Sequence, residues 1–129
     1  MIMTGTMADV RNDEAEIKKV IHQLLKGVDT QNGDMILEVF RDDATLQATN
    51  QGKIISVDYK QYAELHASKK FGGKDREVKI STIDLTDGIV ASAKVIAQNE
   101  NLHYVYYLNF SNTDGKWLIQ NFLQHSRTK

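Results

Sequence analysis

YVYYLNFSNTDGKWLIQNFLQH, residues 104–125, is the stretch whose reading decides the fold. Apolar residues alternate with others on both sides of Asn112, Thr113, Asp114 and Gly115, the pattern of two long strands joined by a tight turn. Asp-Gly supplies the residues that accept positive φ in such turns. Successive side chains on a strand point to opposite faces, so the pairing register assigns every residue to a side. Pairing Phe110 with Trp117 sets Leu108 opposite Ile119, Tyr106 opposite Asn121 and Tyr104 opposite Leu123, all on one face. The Trp, Phe, Leu and Ile end of that face is expected against helices, and the Tyr104, Tyr106, Asn121 and Leu123 end against a pocket. The other face presents Val105, Tyr107 and Asn109 beside Leu118, Gln120 and Phe122. It is too apolar to stand alone in water, which suggests a homodimer through Val105, Tyr107, Leu118, Gln120 and Phe122.

Upstream, REVKISTIDL and IVASAKVIAQ keep the period of two and add two strands, with turns at 86–88 and 99–101. Before Lys74 the period is nearer 3.6. Ile17, Val20, Ile21, Leu24, Leu25 and Val28 form the stripe of a helix capped at Asn12 or Asp13. GDMILEVF reads as a second, shorter helix, and ATLQAT and KIISV as two short strands. Asp58 caps a third helix, DYKQYAELHASKKF, whose stripe carries Tyr59, Tyr62, Ala63 and His66. Helices first and an antiparallel meander afterwards indicate an α+β domain with N-terminal helices packed on one sheet face. Residues 1–11 read as a flexible leader and 12–126 as one domain.

The balance of 16 basic and 17 acidic residues, net charge −1, offers no general electrostatic platform for nucleic acid or an anionic membrane. No apolar run approaches the ~20 residues that span a bilayer. The absence of cysteine removes disulfides and thiolate ligands and fits the cytoplasm.

The stretches EAEIKKVIHQLLKGVDTQNGDMILEVFRDDATL, IVASAKVIAQ and YYLNFSNTDGKWLIQNFL, in this order, resemble the nuclear-transport-factor-2-like superfamily of cystatin-like α+β cones. Within it they are most similar to the branch described as putative lumazine-binding or SnoaL-like. The resemblance runs from Asp13 to Gln124. It implies a strongly curved, mainly antiparallel sheet forming a cone with an internal pocket, and dimerisation through the outer sheet face. Relatives include isomerases, dehydratases, cyclases and plain binders, so the fold leaves the activity open. The chain departs from its relatives in two places. Arg41, Asp42, Asp43 and Ala44 stand where the branch often has His-Pro-Asp-Ala, and Tyr106 stands where it often has Asp.

Proton abstraction beside a carbonyl needs a desolvated base and donors for the enolate oxygen. Tyr59, Tyr62, Tyr104, Tyr106 and Asn121 are candidate donors and, with His66 and Leu123, the candidate ligand-binding set. His66 is the best proton acceptor on the helical stripe. Asp84 serves as a base only if a bulge offsets its strand, because Ile83 and Leu85 read as the core pair. His66, Asp84 and Tyr106 are therefore the catalytic candidates of an enzyme. His22 and His103 read as surface residues, and His125 shares parity with Asn121 near the chain end. The histidine spacing shows no metal motif, and no nucleophile elbow or phosphate loop is present, so neither metal nor cofactor is expected. Three functions remain in play. The leading one is a binder of a small, partly aromatic or apolar molecule in a conical, tyrosine-lined pocket, without a cofactor. The others are an isomerase, dehydratase or cyclase acting on a small cyclic or carbonyl substrate, and a protein-interaction module using the outer sheet face.

Overall fold

Apolar residues spaced at three and four make one side of helix α1 (Met7–Asp29) a buried stripe of Ile17, Ile21, Leu24, Leu25 and Val28. The structure, a computed structural model, describes residues 7–129. The helix thus begins ahead of the expected cap at Asn12 or Asp13. Residues 7–11 of the expected leader form its first turns, and the remainder of that leader lies outside the described residues. Asp13 accepts a hydrogen bond from the Trp117 indole at 3.0 Å, which ties α1 to the far end of the chain.

Asn32 caps the short helix α2 (Gly33–Leu37) by accepting from the Met35 amide. Strand β1 (Phe40–Asn50) follows and turns back into β2 (Lys53–Val57). Asp58 and Gln61 form a reciprocal capping box at the start of α3 (Tyr59–Ala67). This helix stops short of Phe71, because Lys69 adopts the left-handed backbone. Strands β3 (Glu77–Thr86), β4 (Val90–Gln98), β5 (Leu102–Thr113) and β6 (Lys116–Thr128) complete the chain.

The six strands form one curled, unclosed sheet in the order β2-β1-β6-β5-β4-β3. β1 runs parallel to β6, and every other pair is antiparallel. The helices cover its inner face, where Ala91, Ala93, Val95, Leu108, Phe110, Trp117 and Ile119 join the α1 stripe in the core. This is the α+β architecture expected from the change of period.

The register of the last hairpin differs from the expected one. Asn112 pairs with Trp117 and Phe110 with Ile119, while Asn109 pairs with Asn121, so Gln120 is the extra residue of a β-bulge. The bulge reverses the parity of everything after it. Leu108 faces Phe122, Tyr106 faces Gln124 and Tyr104 faces Ser126. Phe122, expected on the dimer surface, is therefore a core residue with 1% exposure, and Leu123, expected in the pocket, lies outside with 40%. Asn121 also moves to the outer face, where it donates to Thr45 Oγ1 at 2.9 Å and accepts from Asn109. WLIQNFLQ carries apolar residues in both parities, so its alternation does not reveal the inserted residue.

A second bulge, at Ser81, lies between Ile80 and Thr82. It allows both Ile80 and Ile83 to pack on the core, and Leu85 follows in phase. Asp84 consequently points outward, exposed and opposite Ser92. The offset needed to turn it inward is absent, and Asp84 is not a pocket residue.

Candidate functional site

Tyr104 and Tyr106 share the inner face of β5 with Leu108 and Phe110. Where α1 overlies the sheet, the inner face is filled by apolar side chains. Past the end of α1 the two tyrosines border a cavity of about 420 Å³. Val28 and Asp29 from α1 also line it, with Tyr62, Leu65 and His66 from α3 and Gln124 and Ser126 from β6. Phe122, in the core behind the cavity wall, packs against two of the lining tyrosines, with ring centroids 5.1 Å from Tyr62 and 5.6 Å from Tyr106.

The loop between α3 and β3 is drawn tightly onto the end of α1. Gly73 N–H donates to the Val28 carbonyl at 3.1 Å, and the Gln31 amide donates to the Phe71 carbonyl at 2.9 Å. Gly72 has φ +74, and a Cβ there would lie 2.2 Å from the Val28 carbonyl oxygen and 2.8 Å from the His66 ring. Only glycine satisfies both the backbone and the space.

This loop delivers Arg76 to the cavity wall. Its Nε–H donates to Asp29 Oδ1 at 2.7 Å, its Nη1 donates to the Tyr106 phenolic oxygen at 2.6 Å, and its guanidinium lies 4.7 Å over the Tyr104 ring. The ion pair is part-buried, with the Arg76 side chain 4% and the Asp29 side chain 13% exposed. Arg76 Nη2 is buried without a hydrogen-bond partner among the described residues.

Burial lifts the Asp29 carboxyl above its ordinary range, with the Arg76 charge opposing. Burial also disfavours the Arg76 charge, but Tyr106 and Asp29 outweigh it and hold the guanidinium ionised. The Tyr106 phenol is pushed up to about 12 by burial, against the pull of Arg76. Burial also raises the Tyr62 phenol well above its ordinary value. Burial lowers His66, partly offset by the 2.7 Å hydrogen bond between its Nδ1 and the Tyr62 carbonyl. A carbonyl can only accept, so Nδ1 carries the proton and the neutral ring keeps Nε2 as an acceptor.

Of the residues named from the sequence, Tyr62, His66, Tyr104 and Tyr106 come together around the cavity. Tyr59 does not: in the first turn of α3 its ring packs on Phe40 at 6.0 Å, under the Lys60 ammonium. Asn121, Leu123 and Asp84 lie on the outer face, as described above. His22 is exposed, and His125 holds Thr49 Oγ1 at 2.8 Å. Sequence reasoning missed Asp29, Arg76, Gln124 and Ser126. Asp29 continues the stripe of Leu25 and Val28, and Arg76 has the parity of the inward Val78 and Ile80, so a charge in phase with a core pattern was the available signal. The described residues contain no cluster of three or more His, Asp or Glu suited to a metal ion. They also contain no helix long and apolar enough to cross a membrane.

The sequence profile of a family described as putative lumazine-binding matches residues 12–123. The chain belongs to this family. Solved structures described as NTF2-like, ketosteroid isomerase-like or cystatin-like share its fold. An NTF2-like protein of unknown function from Shewanella baltica superposes with a TM-score of 0.82 at 16% identity, over 98% of this chain and 100% of that one. Another, from Methylobacillus flagellatus, gives 0.78 at 22% identity, over 98% and 97%. A ketosteroid isomerase-like protein from Erwinia carotovora gives 0.75 at 13% identity, over 89% and 96%. At such identities the likeness carries the fold alone. No curated protein sequence is significantly similar to the chain.

Proposed function

We propose that this family member binds a small, compact, partly aromatic molecule in the cavity beneath Tyr62, Tyr104 and Tyr106. The observation that carries the reading is the cavity itself. Its volume of about 420 Å³ lies in the range of small-molecule sites, and its wall combines aromatic faces with a few fixed polar groups. The family's description as putative lumazine-binding points to bicyclic heteroaromatic compounds, with lumazine the first to try. Native mass spectrometry of the purified protein and calorimetric titration with a bicyclic heteroaromatic panel test the reading. Binding weakened by Tyr62→Ala supports it. No copurifying molecule and no binding across the panel reject it.

An isomerase or dehydratase reading draws on one observation, a partly buried carboxylate with raised pKa at the cavity. Asp29 replaces Asp84 as its base, with His66 and Tyr106 retained. The tight pair with Arg76 weighs against Asp29 as a free base. Turnover of a small carbonyl substrate abolished in Asp29→Asn would favour the enzyme.

The dimer remains part of the proposal with a changed surface. Val105, Tyr107, Leu118 and Leu123 supply its apolar area, with Gln120 among them and Phe122 withdrawn. A monomer by light scattering would reject the dimer and favour a heterologous protein on the same face.

A further inference from the structure

We propose that Arg76 is the recognition group for a ligand carboxylate, so that the cavity selects small aromatic acids over their neutral counterparts. The inference rests on the binding reading above and goes on to name the ligand class.

A guanidinium has five N–H donors in a rigid plane. Asp29 takes the Nε–H and Tyr106 takes one on Nη1, while the Tyr104 ring covers a face. These contacts hold the group in one orientation, so little conformational freedom is lost when a further acceptor arrives. Nη2 has no acceptor among the described residues and is covered by its neighbours, while the side chain, 4% exposed, lines the cavity, so a ligand oxygen reaches Nη2 by displacing a neighbouring lining side chain. A buried charged donor without an acceptor is costly, and an oxygen bound in the cavity removes that cost.

The charges around the cavity favour an anion as the source of that oxygen. Lys70, Lys74 and Arg76 line it, against Asp29 as the carboxylate among the described lining residues. Asp29 already offsets Arg76, and Lys70 and Lys74 are exposed, so they raise the local concentration of anions at the mouth. A carboxylate on Nη2 forms the charge-assisted bond that the Arg76 geometry is prepared for. The aromatic body then lies against Tyr62, Leu65 and His66, which line the same cavity.

The test uses the full chain and two matched probe pairs, benzoate with benzamide and 2-naphthoate with 2-naphthamide, titrated by calorimetry near neutral pH. Each acid is expected to bind at least about tenfold more tightly than its amide, as a charge-assisted bond to Arg76 requires. Arg76→Gln is expected to abolish that preference. If it fails to fold, the Asp29→Asn, Arg76→Gln double variant, which carries no buried charge at the site, serves instead. Equal affinity for acid and amide, or an acid preference that survives in the folded variant, overturns the inference while leaving small-molecule binding intact. Failure of all four probes to bind overturns the inference, and the broader heteroaromatic panel then decides the binding reading separately.

Discussion

Arg76, just ahead of β3, donates its Nε–H to Asp29 at the end of α1 at 2.7 Å, although the two are 47 positions apart. Each is the main countercharge of the other in a buried setting, so removing either leaves an uncompensated charge. Arg76→Gln and Asp29→Asn are each expected to cost about 3–5 kcal/mol. The double variant is expected to lose less than the two single costs together. Urea denaturation of the four proteins measures the coupling, and additive losses would show that the contact contributes nothing as a pair.

Tyr106→Phe preserves ring packing and removes the acceptor for Arg76 Nη1. A loss of about 1–3 kcal/mol is expected. The phenol also predicts alkaline behaviour. Its pKa is raised from 10.0 to about 12, so its contribution is fully present below pH 10 and is lost as pH rises through about 12. Thermal melts across that window should fall more steeply for the wild type than for Tyr106→Phe.

His66 has the opposite sign for a base. Its pKa is lowered from 6.5 by burial, so the stability from the neutral ring is present above pH 6.5 and is lost as pH falls through the depressed value. His66→Gln should flatten the acid limb of the stability curve. An NMR titration of the His66 ring that gives an ordinary or raised midpoint would contradict this.

The bulge at Gln120 can be tested with two adjacent residues. Phe122→Ala removes a core aromatic and is expected to cost about 3–5 kcal/mol. Leu123→Ala, on the outer face, is expected to change monomer stability by no more than about 0.5 kcal/mol. The expected register without the bulge reverses this ranking, so the denaturation midpoints of the two variants decide between them.

Gly72→Ala combines a left-handed backbone with a contact no Cβ tolerates against the Val28 carbonyl. The backbone alone costs about 1–2 kcal/mol, and relief of the clash must pull the loop off α1. Weakened ligand binding together with a lower melting temperature is the expected result, read by calorimetry of the same preparation.

The fold was legible because its strongest signals are local. Asp114-Gly115 marks the hairpin, the Ile17 to Val28 stripe marks α1, and Asp58 marks the start of α3. The site was legible where it follows helical spacing, as with Tyr62 and His66, or strand parity before a bulge, as with Tyr104 and Tyr106. It failed where an inserted residue changed parity inside an apolar run, which exchanged Phe122 with Leu123 and put Gln124 and Ser126 in place of Asn121. The Asp29–Arg76 pair is a long-range contact between two segment ends, and neither end has a local pattern that names its partner.

The position of β6 also bears on how the chain reaches this structure. It lies between two blocks, β1 with β2 on one side and β5, β4 and β3 on the other, and it is made after all of them. The sheet therefore joins the β1–β2 hairpin to the β3–β4–β5 meander only through this last strand. Closure depends on non-local pairing such as Ile119 N–H with the Val39 carbonyl, which places the slow step late. Until Lys116–Thr128 docks, the facing edges of β1 and β5 and the seat of Phe122 stay unpaired, and a partly folded chain is open there to pairing with another copy.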